Sequence, residues 1–195
     1  MSIRHLVLAG LLAGATAAQA TPIFSDNFDS DVQALNATNF NGGWTVSNGT
    51  VDIIGVGGAW DLIPGNGNYV DLDGSTNQAG VLSKTLNLVA GTTYTATFDL
   101  AGNHRGYADD VVDVNFGSSS LTLTRASADA LTAESLSFTA ATTGSYTLSF
   151  HNHGGDNVGA LLDNVSVSAV PEPASYAMLL GGLGLLGFAA RRRQR

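Results

Sequence analysis

The chain has 195 residues, 16 acids, 8 Lys/Arg and no cysteine. Arg4 and the four arginines near the C-terminus hold five of the basic residues, so residues 21–170 keep only Lys84, Arg105 and Arg125 against fifteen acids, a net charge near −12. Such a surface excludes nucleic acid as a partner and the composition excludes disulfides; neutral glycans and divalent cations remain compatible.

In chain order, Arg4 and His5 give a short polar start and residues 6–18 are apolar. Ala18, Gln19 and Ala20 form a small-x-small cleavage site, so a signal peptide is expected over 1–20, with Thr21 opening the mature chain. Residues 21–168 are one domain of ordinary size. Their periodicity is two: Tyr94, Ala96, Phe98 and Leu100 alternate with polar residues, as do Tyr146, Leu148 and Phe150. Strict alternation marks strands with one buried face. Strands are expected over 94–100, 136–138, 146–150 and 162–167, and further over 23–28, 44–46, 51–54, 69–72, 81–88, 111–116 and 121–124. Gly-rich punctuation separates them, as at Asn41 to Gly43 and Pro64 to Gly67, and only 126–134 reads as a short helical turn. About ten short strands predict an all-β chain, a β-sandwich or jelly roll. The tail is uncharged from 174 to 190, about 25 Å as a helix. That stretch is expected to be a transmembrane helix, stopped on the cytoplasmic side by Arg191, Arg192, Arg193 and Arg195.

Val170, Pro171, Glu172 and Pro173, the apolar stretch and the arginine cluster stand in that order at the end of the chain. This ending, residues 170–195, resembles the PEP-CTERM family of bacterial sorting signals. The resemblance implies an exosortase partner acting near the Pro-Glu-Pro motif, in a Gram-negative host that makes extracellular polysaccharide. It also implies export through the inner membrane to the cell surface or extracellular matrix, with a transient or retained C-terminal membrane anchor.

The body carries Phe28 and Asp29 near its start, then Trp44, then a run from Tyr69 to Gly74. A run from Leu88 to Gly102 follows, and the body closes on Leu162, Asp163, Asn164 and Val165. This pattern resembles the galactose-binding-like jelly-roll domains, which include carbohydrate-binding modules. The resemblance implies a structural calcium pinning the first strand to the last, with Asp29 and Asp163 at the matching positions. Asp29 departs from the more usual Glu. The residues agree in kind, because a carboxylate within an apolar strand must be paired or metal-bound. Calcium and hydrogen bonding to backbone amides both satisfy Asp163.

Trp60 lies in a Gly-rich loop and is the aromatic expected to be exposed; sugar contact and packing of the loop onto the sandwich both account for it. Tyr107, Asp156 and Asn157 complete the candidate ligand-binding set, whereas Trp44 reads as core. His151 and His153 alternate onto one strand face, where they could share a metal, or end a polar strand before a Gly turn. Asp109, Asp110 and Asp113 form an acidic cluster, but adjacent acids on a strand point to opposite faces. They therefore read as a solvated loop rather than a glycosidase pair. The expectation is a non-enzymatic, surface- or exopolysaccharide-matrix-associated protein with weak glycan binding. The alternatives are a structural or adhesive matrix protein that binds no sugar and, less favoured, a polysaccharide-acting enzyme.

Overall fold

Alternating residues pair into eleven strands in the computed structural model, which describes residues 21–170, 181–182, 184 and 191–192. They are β1 (Pro22–Asp26), β2 (Thr45–Ser47), β3 (Asp52–Gly55), β4 (Asn68–Asp71), β5 (Val81–Leu88) and β6 (Thr93–Ala101). They continue as β7 (Asp110–Phe116), β8 (Ser119–Arg125), β9 (Thr132–Thr139), β10 (Gly144–Asn152) and β11 (Leu161–Ala169). The expected signal peptide, Pro171, Glu172, Pro173, Arg193 and most of the 174–190 stretch lie outside the described residues. Among the described residues no helix is long and apolar enough to cross a membrane.

Two antiparallel sheets face each other. One runs β3-β4-β11-β6-β9, with β1 also on β11; the other runs β2-β5-β10-β7-β8. Their inner faces supply one core, because period-two side chains from both sheets point inward. Phe98 of β6 meets Phe150 of β10 at a centroid distance of 5.0 Å, and Phe116 of β7 meets Phe138 of β9 at 5.4 Å. Trp44 is a core residue, as expected, 6.1 Å from Phe150 and buried. The described residues 21–170 belong to one compact unit.

The segment 126–134, expected as a helical turn, instead divides. Asp129 receives the Ala126 amide on its side chain at 2.8 Å and returns its own amide to the Ala126 carbonyl. From Thr132 the chain is β9, paired with β6 along its whole length. Local helix propensity yields to that ladder, in which Leu136 and Phe138 pack against the core.

A second, smaller apolar cluster forms on the outer face of the six-stranded sheet. Ile54, Tyr69, Ala101 and Leu161 project there, opposite to the core-facing Val70 and Leu162, and Leu62, Ile63 and Leu131 fold over them. It holds the β3–β4 loop flat against the sheet and so positions Trp60.

Candidate functional site: a cleft between two exposed aromatics

Cross-strand register sets the floor of the site. Asp52 of β3 pairs with Asp71 of β4, and Asp71 with Leu161 of β11, so these side chains share the outer face. Loops 56–67, 102–109 and 153–160 rise around them. Together they enclose a cleft of about 360 Å³ lined by Trp60, Tyr107, Leu35, Asn157, Ser75 and Arg105 over Asp52 and Asp71. Trp60 is 51% and Tyr107 57% exposed. A second cavity of about 210 Å³ shares Trp60, Leu35 and Ile54 with it and is lined also by Gln33.

The loop that carries Trp60 packs onto the sandwich, and Trp60 itself is exposed, as expected. Leu62 and Ile63 pack onto the sheet, while the Trp60 ring stays out. The fully buried Tyr69 fastens the loop, accepting the amides of Leu62 at 2.6 Å and Ile63 at 3.0 Å. Burial raises the Tyr69 pKa above its ordinary value, which keeps the hydroxyl protonated and able to donate.

The floor is charged but internally satisfied. Asp71, 1% exposed, forms an ion pair with Arg105. Its other oxygen accepts the amides of Gly159 at 3.0 Å and Asp73 at 3.1 Å. Burial pushes the Asp71 carboxyl up to about 7 despite the Arg105 charge and these donors. Asp52 accepts the Asn36 amide at 2.7 Å and the Ser75 hydroxyl at 2.8 Å. Arg105 also donates to the Asn157 carbonyl at 3.3 Å, which ties the 153–160 loop to the 102–109 loop. The sequence reading passed over Asp71 and Asp52. The criterion that singles out Asp163, a carboxylate inside an apolar run, applies equally to Asp71 between Val70 and Leu72.

The cleft brings together Trp60, Tyr107 and Asn157. Asp156 lies next door, lining a separate pocket of about 180 Å³ with Asp109, Asp110, Asn152 and His153, and its carboxylate caps the Val158 amide at 3.0 Å. Asp29 and Asp163 approach the same short segment. Asp29 accepts the Asn68 amide at 2.8 Å, and Asp163 accepts Asn66 Nδ2 at 2.7 Å and the Asn164 amide at 2.6 Å. Burial pushes Asp163 up to about 6, and the Asp29 and Asp99 charges add to the rise. His151 and His153 do share a face, with ring centroids 6.0 Å apart, and His153 Nε2 lies 2.7 Å from Asp113 Oδ2. The acidic cluster splits as strand geometry requires: Asp110 is buried, accepting Asn103 Nδ2 at 2.9 Å, whereas Asp109 and Asp113 face outward. Arg191 and Arg192 are described only as exposed helical residues.

A family model described as "Protein of unknown function (DUF642)" matches residues 23–168, and one described as "PEP-CTERM protein-sorting motif" matches 169–193. The sorting motif implies export and an exosortase substrate. No curated protein matches the chain by sequence. Among solved structures, the fold is similar to the CBM22-1 xylan-binding domain of Xyn10C from Paenibacillus barcinonensis. The TM-score is 0.57 at 13% identity, covering 80% of this chain and 99% of that one. It is also similar to the Clostridium thermocellum Xyn10B CBM22-1–GH10 modules complexed with xylohexaose, with TM-score 0.50 and 14% identity. That match covers 79% of this chain and 29% of the longer one. The architecture is thus the jelly-roll sandwich of carbohydrate-binding modules.

Proposed function

We propose, for a chain that belongs to the DUF642 family of proteins of unknown function, that its body is a non-catalytic glycan-binding module delivered to the cell surface or exopolysaccharide matrix. One observation carries the reading: two half-exposed aromatics, Trp60 and Tyr107, flank a single cleft whose floor is polar. Aromatic faces stack on the apolar faces of sugar rings, and a few fixed polar groups read hydroxyls; both are features of small-ligand sites. A second cavity shares the Trp60 ring with the cleft, which suits a chain better than a single sugar. The Arg105 guanidinium, the cation of the cleft, is engaged by Asp71, so neutral glycans fit better than acidic ones. The xylan-binding fold neighbours make xylan the natural first probe.

The floor carboxylates support binding over hydrolysis. Asp52 and Asp71 stand side by side on neighbouring strands rather than facing across the cleft. Each carboxylate oxygen already holds an amide, a hydroxyl or a guanidinium. A glycosidase pair needs one free acid and one free base or nucleophile on opposite sides of the bond.

The test is a panel of neutral and acidic polysaccharides presented to the full chain in detergent, with Trp60→Ala alongside. Binding of a neutral polysaccharide that weakens at least about tenfold in Trp60→Ala, or ~1.4 kcal/mol, supports the reading. Failure to bind any member of the panel overturns it in favour of a structural or adhesive matrix protein. Release of reducing ends overturns it in favour of an enzyme.

A further inference from the structure

Asp73 sits just past the end of β4 and does not line the glycan cleft. It is fully buried, and neither carboxylate oxygen makes a hydrogen bond. The Gly155 amide points towards it and eases its charge, without closing a bond of ordinary geometry. Asn152, at the end of β10, is buried too, and its Oδ1 has no partner. Buried polar atoms nearly always find partners, and each exception calls for an explanation.

The surroundings make the exception sharper. The charges that act on Asp73 besides burial itself are those of Asp156, Asp110 and Asp52, and all are negative. Arg105 is engaged by Asp71 and the Asn157 carbonyl. Asp110 in turn receives Asn103 Nδ2 at 2.9 Å and Asn152 Nδ2 at 3.4 Å, so the unpartnered Oδ1 of Asn152 belongs to a side chain already tied to one buried acid. The β10–β11 loop closes over them. A side-chain carbon at Gly154 would lie 2.9 Å from Asp73 Oδ2, and one at Gly159 would lie 2.4 Å from the Asp73 amide. The loop backbone therefore rests directly on the acid, and only glycine permits that approach.

We infer that this buried acidic cluster under the β10–β11 loop is a calcium site, with Asp73 and the Asn152 Oδ1 as its buried ligands and Asp110 and Asp156 supplying further negative charge. The donors are hard oxygens with no imidazole or thiolate among them, which selects calcium over transition metals. Among the described residues no three carboxylate or imidazole groups form a ready cage. Backbone carbonyls and water must complete the shell, as calcium's six to eight oxygen ligands allow. This site is separate from the calcium expected at Asp29 and Asp163, whose oxygens already receive amide donors.

The test compares the full chain with Asp73→Asn and Asp163→Asn, each stripped with chelator and titrated with calcium chloride by calorimetry and thermal melting. The expected result is a calcium-dependent rise in Tm that survives Asp163→Asn, and one binding equivalent lost in Asp73→Asn. A wild-type chain that neither binds calcium nor shifts in Tm overturns the inference. So does an Asp73→Asn chain that keeps the wild-type stoichiometry and shift. If Asp73→Asn does not fold, Asn152→Ala decides: calcium affinity reduced about tenfold or more sustains the site, and unchanged affinity overturns it.

Discussion

Tyr69 donates its hydroxyl to the Trp60 carbonyl at 3.3 Å while accepting the amides of Leu62 and Ile63. One buried phenol thus sets both the height and the direction of the exposed indole. Tyr69→Phe keeps the packing of the outer cluster but strands two amides and a carbonyl. We expect a stability loss of about 1–3 kcal/mol and weaker glycan binding with the cleft residues themselves unchanged. Denaturant melts and affinity electrophoresis on xylan check the two effects separately.

Arg105 holds the opposite wall. Arg105→Ala leaves Asp71 buried with no cation and releases the Asn157 carbonyl. Breaking a buried pair in this way costs about 3–5 kcal/mol when the remaining charge persists. Asp71 can escape by holding its proton, so the variant should lose most stability at pH 8 and least near pH 5. Melting curves at the two pH values read the difference; equal losses would show that Asp71 does not titrate in this range.

The wild-type chain in chelator should show a related trend. Burial pushes Asp71 up to about 7 and Asp73 and Asp163 each up to about 6. Unfolded, these groups release their protons near pH 4. Between that point and the raised values the native state binds more protons, so stability falls as pH rises. Tm is expected to be higher near pH 5 than at pH 8, measured by scanning calorimetry in the absence of divalent ions.

At the end of β1, Asp26 receives the Phe28 amide on one oxygen and the Trp44 indole N–H on the other, both at 2.9 Å. It supports Phe28 in a left-handed backbone conformation, φ 55°, with the ring fully buried beside Trp44. Such a conformation is uncommon for a bulky side chain and persists only where its surroundings impose it. Asp26→Ala should cost about 1–3 kcal/mol, alter the near-UV circular dichroism of Trp44, and leave glycan affinity at the wild-type level.

Much of this was legible in the chain. Alternation located Phe98, Phe150 and Leu148 as inward residues, and the Gly-rich setting of Trp60 marked it as exposed. Tyr107 and Asn157 reach the same cleft because two loops distant in sequence meet over β4, and no local pattern announces that meeting. The pairing of Arg105 with Asp71 was hidden for the same reason: it joins residues 34 apart. The strand at 132–139 was obscured because Ala130, Leu131, Ala133 and Glu134 suit a helix locally, while the ladder to β6 is a long-range interaction.

The last strand has neighbours on both edges: β6 along one, β4 and β1 end to end along the other. The Val170 amide is still bonded to the Thr93 carbonyl at 2.8 Å where the body ends. A pull applied at that end would load the most enclosed strand of the fold lengthwise, so several rows of backbone bonds must slide together instead of peeling one at a time. A tether attached there would have a strand paired on both edges as its root.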